Sequence, residues 1–238
     1  GSLRMGVSEM TRFGMGPEDF GELAEMIRDV VIDGATVKLR VAEFRQRFLE
    51  LGYCFNEKEL QERAGILHSG REGDFASFES GELKVAVLAY AVTRESNMML
   101  DYDLAASTVA EFAGTHDIVV VSFHGGAEGV DARNLPFAEE EYYGEPRGDV
   151  VLFARRMVEA GADLVLGHGP HVVRAAERYK ERLIAYSLGN FATYYGISVA
   201  GIKGIAPILI ATLDGEGRFV EGEIVSTIQL RPDGPSID

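Results

Sequence analysis

The sequence predicts an α/β fold with a mixed β-sheet, preceded by a small helical segment. Two observations carry this prediction. From about residue 81, short β-branched or apolar runs alternate with segments of helical apolar spacing, the pattern of parallel strands joined by crossover helices. From Val172 onward the strand-like runs follow one another closely, separated only by turn residues, which favours antiparallel pairs.

Two helices are predicted within the first 55 residues. The first begins at Pro17, a residue suited to the first helical turn, and ends before Asp33-Gly34. The second extends from Val37 to Leu51, where apolar residues recur at steps of four and three. Both apolar stripes are interpreted as packing faces, because nothing in their spacing suggests chemistry.

The α/β part is predicted to alternate strands with helices and then to continue as strands alone. Strands are expected over residues 84–90, 117–123 and 163–166, with helices over 104–112 and 149–160 between them. Later strands are expected over 173–179, 183–188, 208–213 and 218–227. Residues 56–80 are interpreted as a polar junction. Residues 129–148 are interpreted as an acidic loop that is either solvated or a lid.

Charge and composition restrict the partners of the protein. The chain of 238 residues has 38 acidic and 23 basic residues, a net charge of −15, and no run of Lys and Arg. This charge disfavours nucleic acids and anionic lipid surfaces as partners. No apolar run approaches the roughly 20 residues of a membrane span, and the N-terminus lacks the pattern of a signal peptide, so we expect a cytoplasmic protein or a soluble piece of a longer one. One cysteine, Cys54, excludes an internal disulfide and a multi-cysteine metal site.

Three of the five histidines lie at the ends of two successive predicted strands. His124 ends one strand, and His168 and His171 belong to the Gly-His-Gly-Pro-His segment that ends the next. The carboxyl ends of strands meet at one edge of an open sheet, which is where ligands bind. Neutral imidazole binds zinc, manganese or iron. We therefore expect these three side chains to bind a metal, the alternative being hydrogen-bonded structural histidines.

Other polar residues are expected at the same edge. Glu128 follows His124 by four residues, close enough to bind the metal, to orient a ring or to act as a base. Asn190 follows a third strand-like run that ends in Ser-Leu-Gly-Asn. The Gly125-Gly126 pair, which lies between His124 and Glu128, could hold a phosphate through backbone amides, but no Walker pattern accompanies it.

These motifs resemble those of the CapA family of poly-gamma-glutamate capsule proteins, which is similar to calcineurin-like metallophosphoesterases. The resemblance covers about residues 82–225 and is carried by His-x-x-x-Glu, Gly-His-x-Pro-His and Ser-Leu-Gly-Asn-Phe. It implies a four-layer α/β/β/α sandwich with metal-binding histidines at His124, His168 and His171. Glu128 and Asn190 also occupy motif positions of that family.

The chain departs from the family pattern at several positions. Gly125 and Gly169 stand where the family usually has Trp and often another His, and residues 1–80 contain neither the Gly-Asp nor the Asn-His motif of the family. Two metal ions about 3.5–4 Å apart normally need a bridging carboxylate. A single metal, a site completed by another chain and a metal-free remnant therefore all stay open.

Residues 3–55 resemble a different family, the C-terminal piece of serine hydroxymethyltransferase, a pyridoxal-phosphate enzyme. The resemblance is carried by the segment Leu-Arg-Met-Gly that begins at Leu3 and by the two helices after it. It implies that Arg4 binds the carboxylate of an amino-acid substrate, a role suited to a bidentate guanidinium. The cofactor lysine and the large domain are absent, so pyridoxal phosphate is not expected in this chain alone.

These observations lead to a hypothesis of three segments and one leading function. The segments are 1–55, helical; 56–80, the junction; and 81–238, a CapA-like domain. The leading function is metal-dependent hydrolysis of a phosphoester or related substrate, small molecule or polymer, with one or two zinc, manganese or iron ions. The alternative is a noncatalytic assembly module of a fusion with a pyridoxal-phosphate enzyme. A homo-oligomer and a missing upstream domain stay open.

Overall fold

The computed structural model describes residues 15–48, 67–191 and 197–229, and the chain divides into two compact units, residues 1–66 and 67–238. In the first unit, helix α1 spans Pro17–Val31 and helix α2 spans Lys38–Arg45. The Asp19 carboxylate accepts a hydrogen bond from the Gly16 N–H at 2.8 Å and thereby caps α1. A small core forms around the buried side chains of Met15, Met26 and Phe44.

Helix α2 is shorter than the sequence predicts. The N–H groups of Gln46, Arg47 and Phe48 donate to carbonyls three residues back instead of four, so the helix tightens and ends after Arg45. The end predicted at Leu51, together with Cys54 and Arg4, lies outside the described residues.

The second unit is built on a six-stranded mixed sheet with the order β1-β2-β3-β6-β8-β7. Strands β2, β3, β6 and β8 are parallel, and the edge strands β1 and β7 are antiparallel to their neighbours. Helices α3 and α4 connect the parallel strands. The elements are β1 Ala76–Ser80, β2 Leu83–Ala91, α3 Tyr102–Ala113, β3 Ile118–His124, α4 Val150–Ala160, β6 Leu164–His168, β7 Ala176–Tyr179 and β8 Arg182–Ala185.

Two smaller antiparallel pairs complete the second unit. Strands β4 (Glu140–Tyr142) and β5 (Glu145–Gly148) form one, and β9 (Ile208–Leu213) and β10 (Phe219–Val225) form the other. Short 3₁₀ turns occur at Val130–Arg133 and Gly201–Gly204. Within the described residues, no helix combines the length and apolar character that crossing a bilayer requires.

Helices α3 and α4 cover only one face of the large sheet. Val119, Val121 and Phe123 of β3 face them and are buried in the same core as Phe153 of α4. Because side chains alternate along a strand, His124 and His168 belong to the opposite face, whose members, such as Val120, are only half-buried. The fold therefore places both histidines on the face of the sheet that the helices leave open.

The predicted α/β class with mixed strand directions is confirmed, including the order of its strands and crossover helices along the chain. The turn expected at Lys180-Glu181 joins β7 to β8, and both residues have positive φ, as a two-residue hairpin turn requires. Strand β9 has the predicted bounds, and β8 ends at Ala185, earlier than predicted.

Two predicted irregular segments contain regular structure. Strand β1 lies within the segment interpreted as a polar junction. A polar sequence can form this strand because its five residues pair with β2 through their backbone and leave most of their side chains exposed. The segment interpreted as an acidic loop contains the 3₁₀ turn and the β4–β5 hairpin. Most of its residues are exposed, and the buried side chains of Glu140 and Arg147 anchor it to the rest of the second unit.

Candidate functional site

His124 and His168 are the last residues of two adjacent parallel strands and are direct partners in the register of β3 with β6. The Gly125 N–H donates a hydrogen bond to the His168 carbonyl at 3.0 Å, which continues the pairing one residue beyond the strands. Parallel pairing therefore places the two imidazoles side by side at the carboxyl edge of the sheet.

His171 joins this pair from the loop after β6. Its backbone has a φ of 58°, and its ring centre lies 6.4 Å from that of His124. Asn190, which is buried, contacts it: the Asn190 Oδ1 lies 2.8 Å from the His171 Nδ1. The structure thus brings together all three predicted histidines and Asn190.

The hydrogen bonds of Asn190 fix the protonation pattern of the His171 ring. The amide nitrogen of Asn190 donates to the carbonyls of His171 and Lys203, at 3.2 and 3.0 Å, so Oδ1 is the atom that faces the ring. An oxygen acceptor at this position requires that the His171 Nδ1 carries the proton. The Nε2 lone pair is consequently directed away from Asn190 and is free to bind a metal.

Glu128 lies on the Nε2 side of His171 and is held by Arg147. The Arg147 Nη2 donates to the Glu128 Oε1 at 2.7 Å, and its Nε donates to the Gly126 carbonyl at 3.1 Å. The other carboxylate oxygen, Oε2, lies 3.6 Å from the His171 Nε2. Arg147 therefore orients Glu128 so that one oxygen is committed to the ion pair and the other faces the histidines.

The surroundings of His124 and His168 favour neutral rings. Desolvation lowers the pKa of His124 below its usual value of 6.5, and the positive charge of Arg147 lowers it further. Desolvation also lowers the pKa of His168. Because a ring with a lowered pKa stays unprotonated at neutral pH, both imidazoles keep a lone pair for a ligand.

A buried ion pair fastens the loops that carry these residues. Arg174 and Glu140 meet in a bidentate arrangement at 2.8 and 2.7 Å, with side chains 0% and 5% exposed. The Arg174 Nε also donates to the Ala132 carbonyl at 2.6 Å, and the Ala127 N–H donates to Glu140 at 3.0 Å. The pair thus connects the loop after β3, the β4–β5 hairpin and the segment after β6.

Glu140, Arg147 and Arg174 are the site-supporting residues that the sequence analysis missed. Glu140 and Arg147 lie in the segment interpreted as an acidic loop. The only local sign of a structural role there is Arg147 itself, an isolated basic residue beside Gly148. The other two histidines lie elsewhere and have partners: His68 pairs with Asp74, and His116 contacts the Ser77 hydroxyl at 2.7 Å. Arg4 is outside the described residues, so its implied role stays a prediction.

The donor set suits a divalent transition metal, although the side chains are not gathered around one point. Among residues 15–48, 67–191 and 197–229, no three His, Cys, Asp or Glu side chains are positioned to hold a metal ion. The chemistry of the donors nevertheless fits, with two neutral imidazoles, a third whose Nε2 is free, and a carboxylate beside it.

Comparisons with known proteins identify a family that matches more than half of the chain. The family model described as bacterial capsule synthesis protein PGA_cap matches residues 56–195, a range that includes every described candidate residue. The capsule biosynthesis protein CapA of Bacillus anthracis is 41% identical over 78 residues, 33% of this chain and 16% of that protein. The PGA biosynthesis protein CapA of Bacillus subtilis is 36% identical over 119 residues, 50% of this chain and 28% of that protein.

A second group of relatives agrees with the other resemblance in the sequence. The serine hydroxymethyltransferase of Sulfolobus acidocaldarius is 46% identical over 61 residues, which are 24% of this chain and 14% of that protein. The chain thus spans less than a third of the length of each of these three relatives.

Proposed function

The chain belongs to the bacterial capsule synthesis protein family PGA_cap, and on that basis we propose that it is a metal-dependent hydrolase of a phosphoester or related substrate with a role in capsule biosynthesis. The observation that carries the proposal is the juxtaposition of three imidazoles at one sheet edge, one of which has its Nε2 freed by Asn190. His124, His168 and His171 would hold the ion, which we expect to be zinc, manganese or iron.

The residues of the chain would divide the work of hydrolysis. A bound divalent ion would supply a Lewis acid and would make a water molecule more acidic. The Glu128 Oε2, which the ion pair with Arg147 leaves uncommitted, would accept a proton from an attacking water. Asn190 keeps the proton of His171 on Nδ1, and Arg147 keeps Glu128 from turning away from the histidines.

Removing a histidine ligand is expected to abolish both metal binding and hydrolysis. We expect His171→Ala to lower the affinity for Zn²⁺ or Mn²⁺ at least a hundredfold, because one of three proposed ligands is lost, and to stop turnover of p-nitrophenyl phosphate and its diester. Calorimetric titration of the chelator-treated protein measures the first effect, and release of p-nitrophenol measures the second.

His116→Ala provides the matched control. His116 contacts Ser77 and the Phe112 carbonyl at the opposite end of β3, so this variant is expected to keep the affinity of the unchanged protein. Hydrolysis that persists in His171→Ala would contradict the proposal. Absence of stoichiometric metal in the unchanged protein, combined with a stable partner complex on a sizing column, would favour the noncatalytic assembly module.

Asn190 is expected to act on metal affinity through His171. Asn190→Ala removes the acceptor of the Nδ1 proton, and loss of such an outer partner typically lowers metal affinity about 10–100-fold. Asn190→Asp keeps an oxygen acceptor at that position and is expected to retain most of the affinity. Zn²⁺ titration of both variants, together with their denaturant unfolding, separates the effect on His171 from a general loss of stability. Equal affinities in the two variants would contradict the positioning role.

A further inference from the structure

A cleft opens directly beside His168 and His171. Its volume is about 550 Å³, which lies within the range of small-molecule sites. His168, His171 and Asn190 form its polar end. The rest of the wall is contributed mainly by large apolar side chains, namely Leu188, Phe191, Pro207, Ile208 and Leu209.

The charge of the cleft differs from what a polyanionic ligand would need. Among the residues that the structure describes, none that lines the cleft is Lys, Arg, Asp or Glu. Arg147, whose charge acts on His124, is already committed to Glu128 and to the Gly126 carbonyl. A ligand with several negative charges along its length would therefore meet no cation on this wall. An apolar group would instead displace water from apolar surface, and this removal of apolar surface from water favours binding.

From these features we infer that the cleft binds the apolar group, aromatic or alkyl, of a phosphate ester, which the ester oxygen joins to the reacting phosphoryl group. This inference rests on the proposed function, because it takes the histidine end as the reacting end. The polar end would then receive the single anionic group of the substrate, and the wall formed by β9 and the segment around Leu188 would receive its apolar part. Because the cleft has one polar end and one apolar wall, it would select esters with an apolar group over esters with a polar one.

Strand β9 offers a matched pair of variants for testing the inference. Ile208 lines the cleft, and Ile210 does not. The two residues are identical in type, lie on the same face of the strand two positions apart, and are similarly exposed, at 41% and 50%. Ile208→Ser and Ile210→Ser therefore make the same chemical change at positions that differ in their contact with the cleft.

The test compares two phosphate monoesters of equal charge, 1-naphthyl phosphate and glycerol 2-phosphate. Binding is measured in the chelator-treated protein, by naphthyl fluorescence for the first ester and by calorimetry for both, and hydrolysis is measured after Mn²⁺ is added. We expect the naphthyl ester to bind at least tenfold more tightly than the glycerol ester. Ile208→Ser should weaken naphthyl binding about five- to tenfold and raise its KM by the same factor, whereas Ile210→Ser should change neither.

The outcomes separate the inference from the proposed function. Equal binding of the two esters, or equal effects of the two serine variants, would overturn the assignment of the cleft. Selective naphthyl binding that Ile208→Ser weakens, without turnover of either ester, would overturn the proposed hydrolysis and support the apolar cleft. Selective binding together with selective turnover supports both.

Discussion

Replacing Arg174 by Met is expected to lower the free energy of unfolding by about 3–5 kcal/mol. The guanidinium is fully buried and forms a bidentate pair with Glu140, whose side chain is 5% exposed. Without it, the Glu140 carboxylate stays buried without its cation, and the Ala132 carbonyl loses its donor. Denaturant unfolding followed by circular dichroism measures the change, because the second unit contains all of the described β-strands.

The exposed pair of Arg218 with Asp214 gives the matched control. Its side chains are 45% and 31% exposed, so Arg218→Met should change stability far less than Arg174→Met does. A double variant, Arg174→Met with Glu140→Leu, removes both buried charges and should recover part of the loss. A loss of less than about 1 kcal/mol in Arg174→Met would show that the pair does not stabilise the fold.

The same ion pair links stability to the candidate site. Glu140 accepts the Ala127 N–H in the loop that carries Glu128, and Arg174 lies three residues after His171. Loosening the pair would free both loops at once, although neither charged residue contacts the cleft. We therefore interpret Glu140 and Arg174 as positioning residues that keep the loops of β3 and β6 in register with each other.

The sequence predicts the parts of the fold that depend on short-range pattern. The apolar run of β3 and the helical spacing of α3 and α4 are local, and each is confirmed to within a few residues. The proximity of His124 to His168 also follows from a local rule, since the carboxyl ends of neighbouring parallel strands share one edge. Strand β1 was missed because it is short and its side chains, apart from Ala76, are exposed.

The charged framework around the histidines could not be predicted in the same way. Glu140 and Arg174 are 34 residues apart, and Arg147 is 19 residues from Glu128, so only the tertiary fold brings these partners together. In sequence, Glu140 belongs to a run of three glutamates, a pattern that normally indicates a solvated surface. Glu140 is buried because it pairs with Arg174. The sequence around Glu140 gives no sign of this distant partner.

Replacing Gly169 by Ala is expected to destabilise the protein by about 3–5 kcal/mol, a sum of backbone strain and steric overlap. Gly169 has a φ of 119°, and a β-carbon on it would lie 2.6 Å from the Gly125 carbonyl oxygen. The Gly125 N–H bonds to the His168 carbonyl, so any shift that relieves the overlap pulls apart the backbones of the two histidine loops. Metal affinity should fall together with stability, measured by titration and by denaturant unfolding.

The variant Gly129→Ala separates the two contributions to the loss expected for Gly169→Ala, backbone strain and steric overlap. Gly129 also has a positive φ, 96°, with ψ at −177°, but a β-carbon there would have no neighbour within 4 Å, so the variant should lose only the strain contribution, about 1–3 kcal/mol. Similar losses in both variants would exclude the backbone contact as the cause. Gly125 is restricted as well, because its β-carbon would lie 2.5 Å from the Met99 sulfur. Each of the two glycines is therefore restricted by its own contact, Gly169 by the Gly125 backbone and Gly125 by Met99.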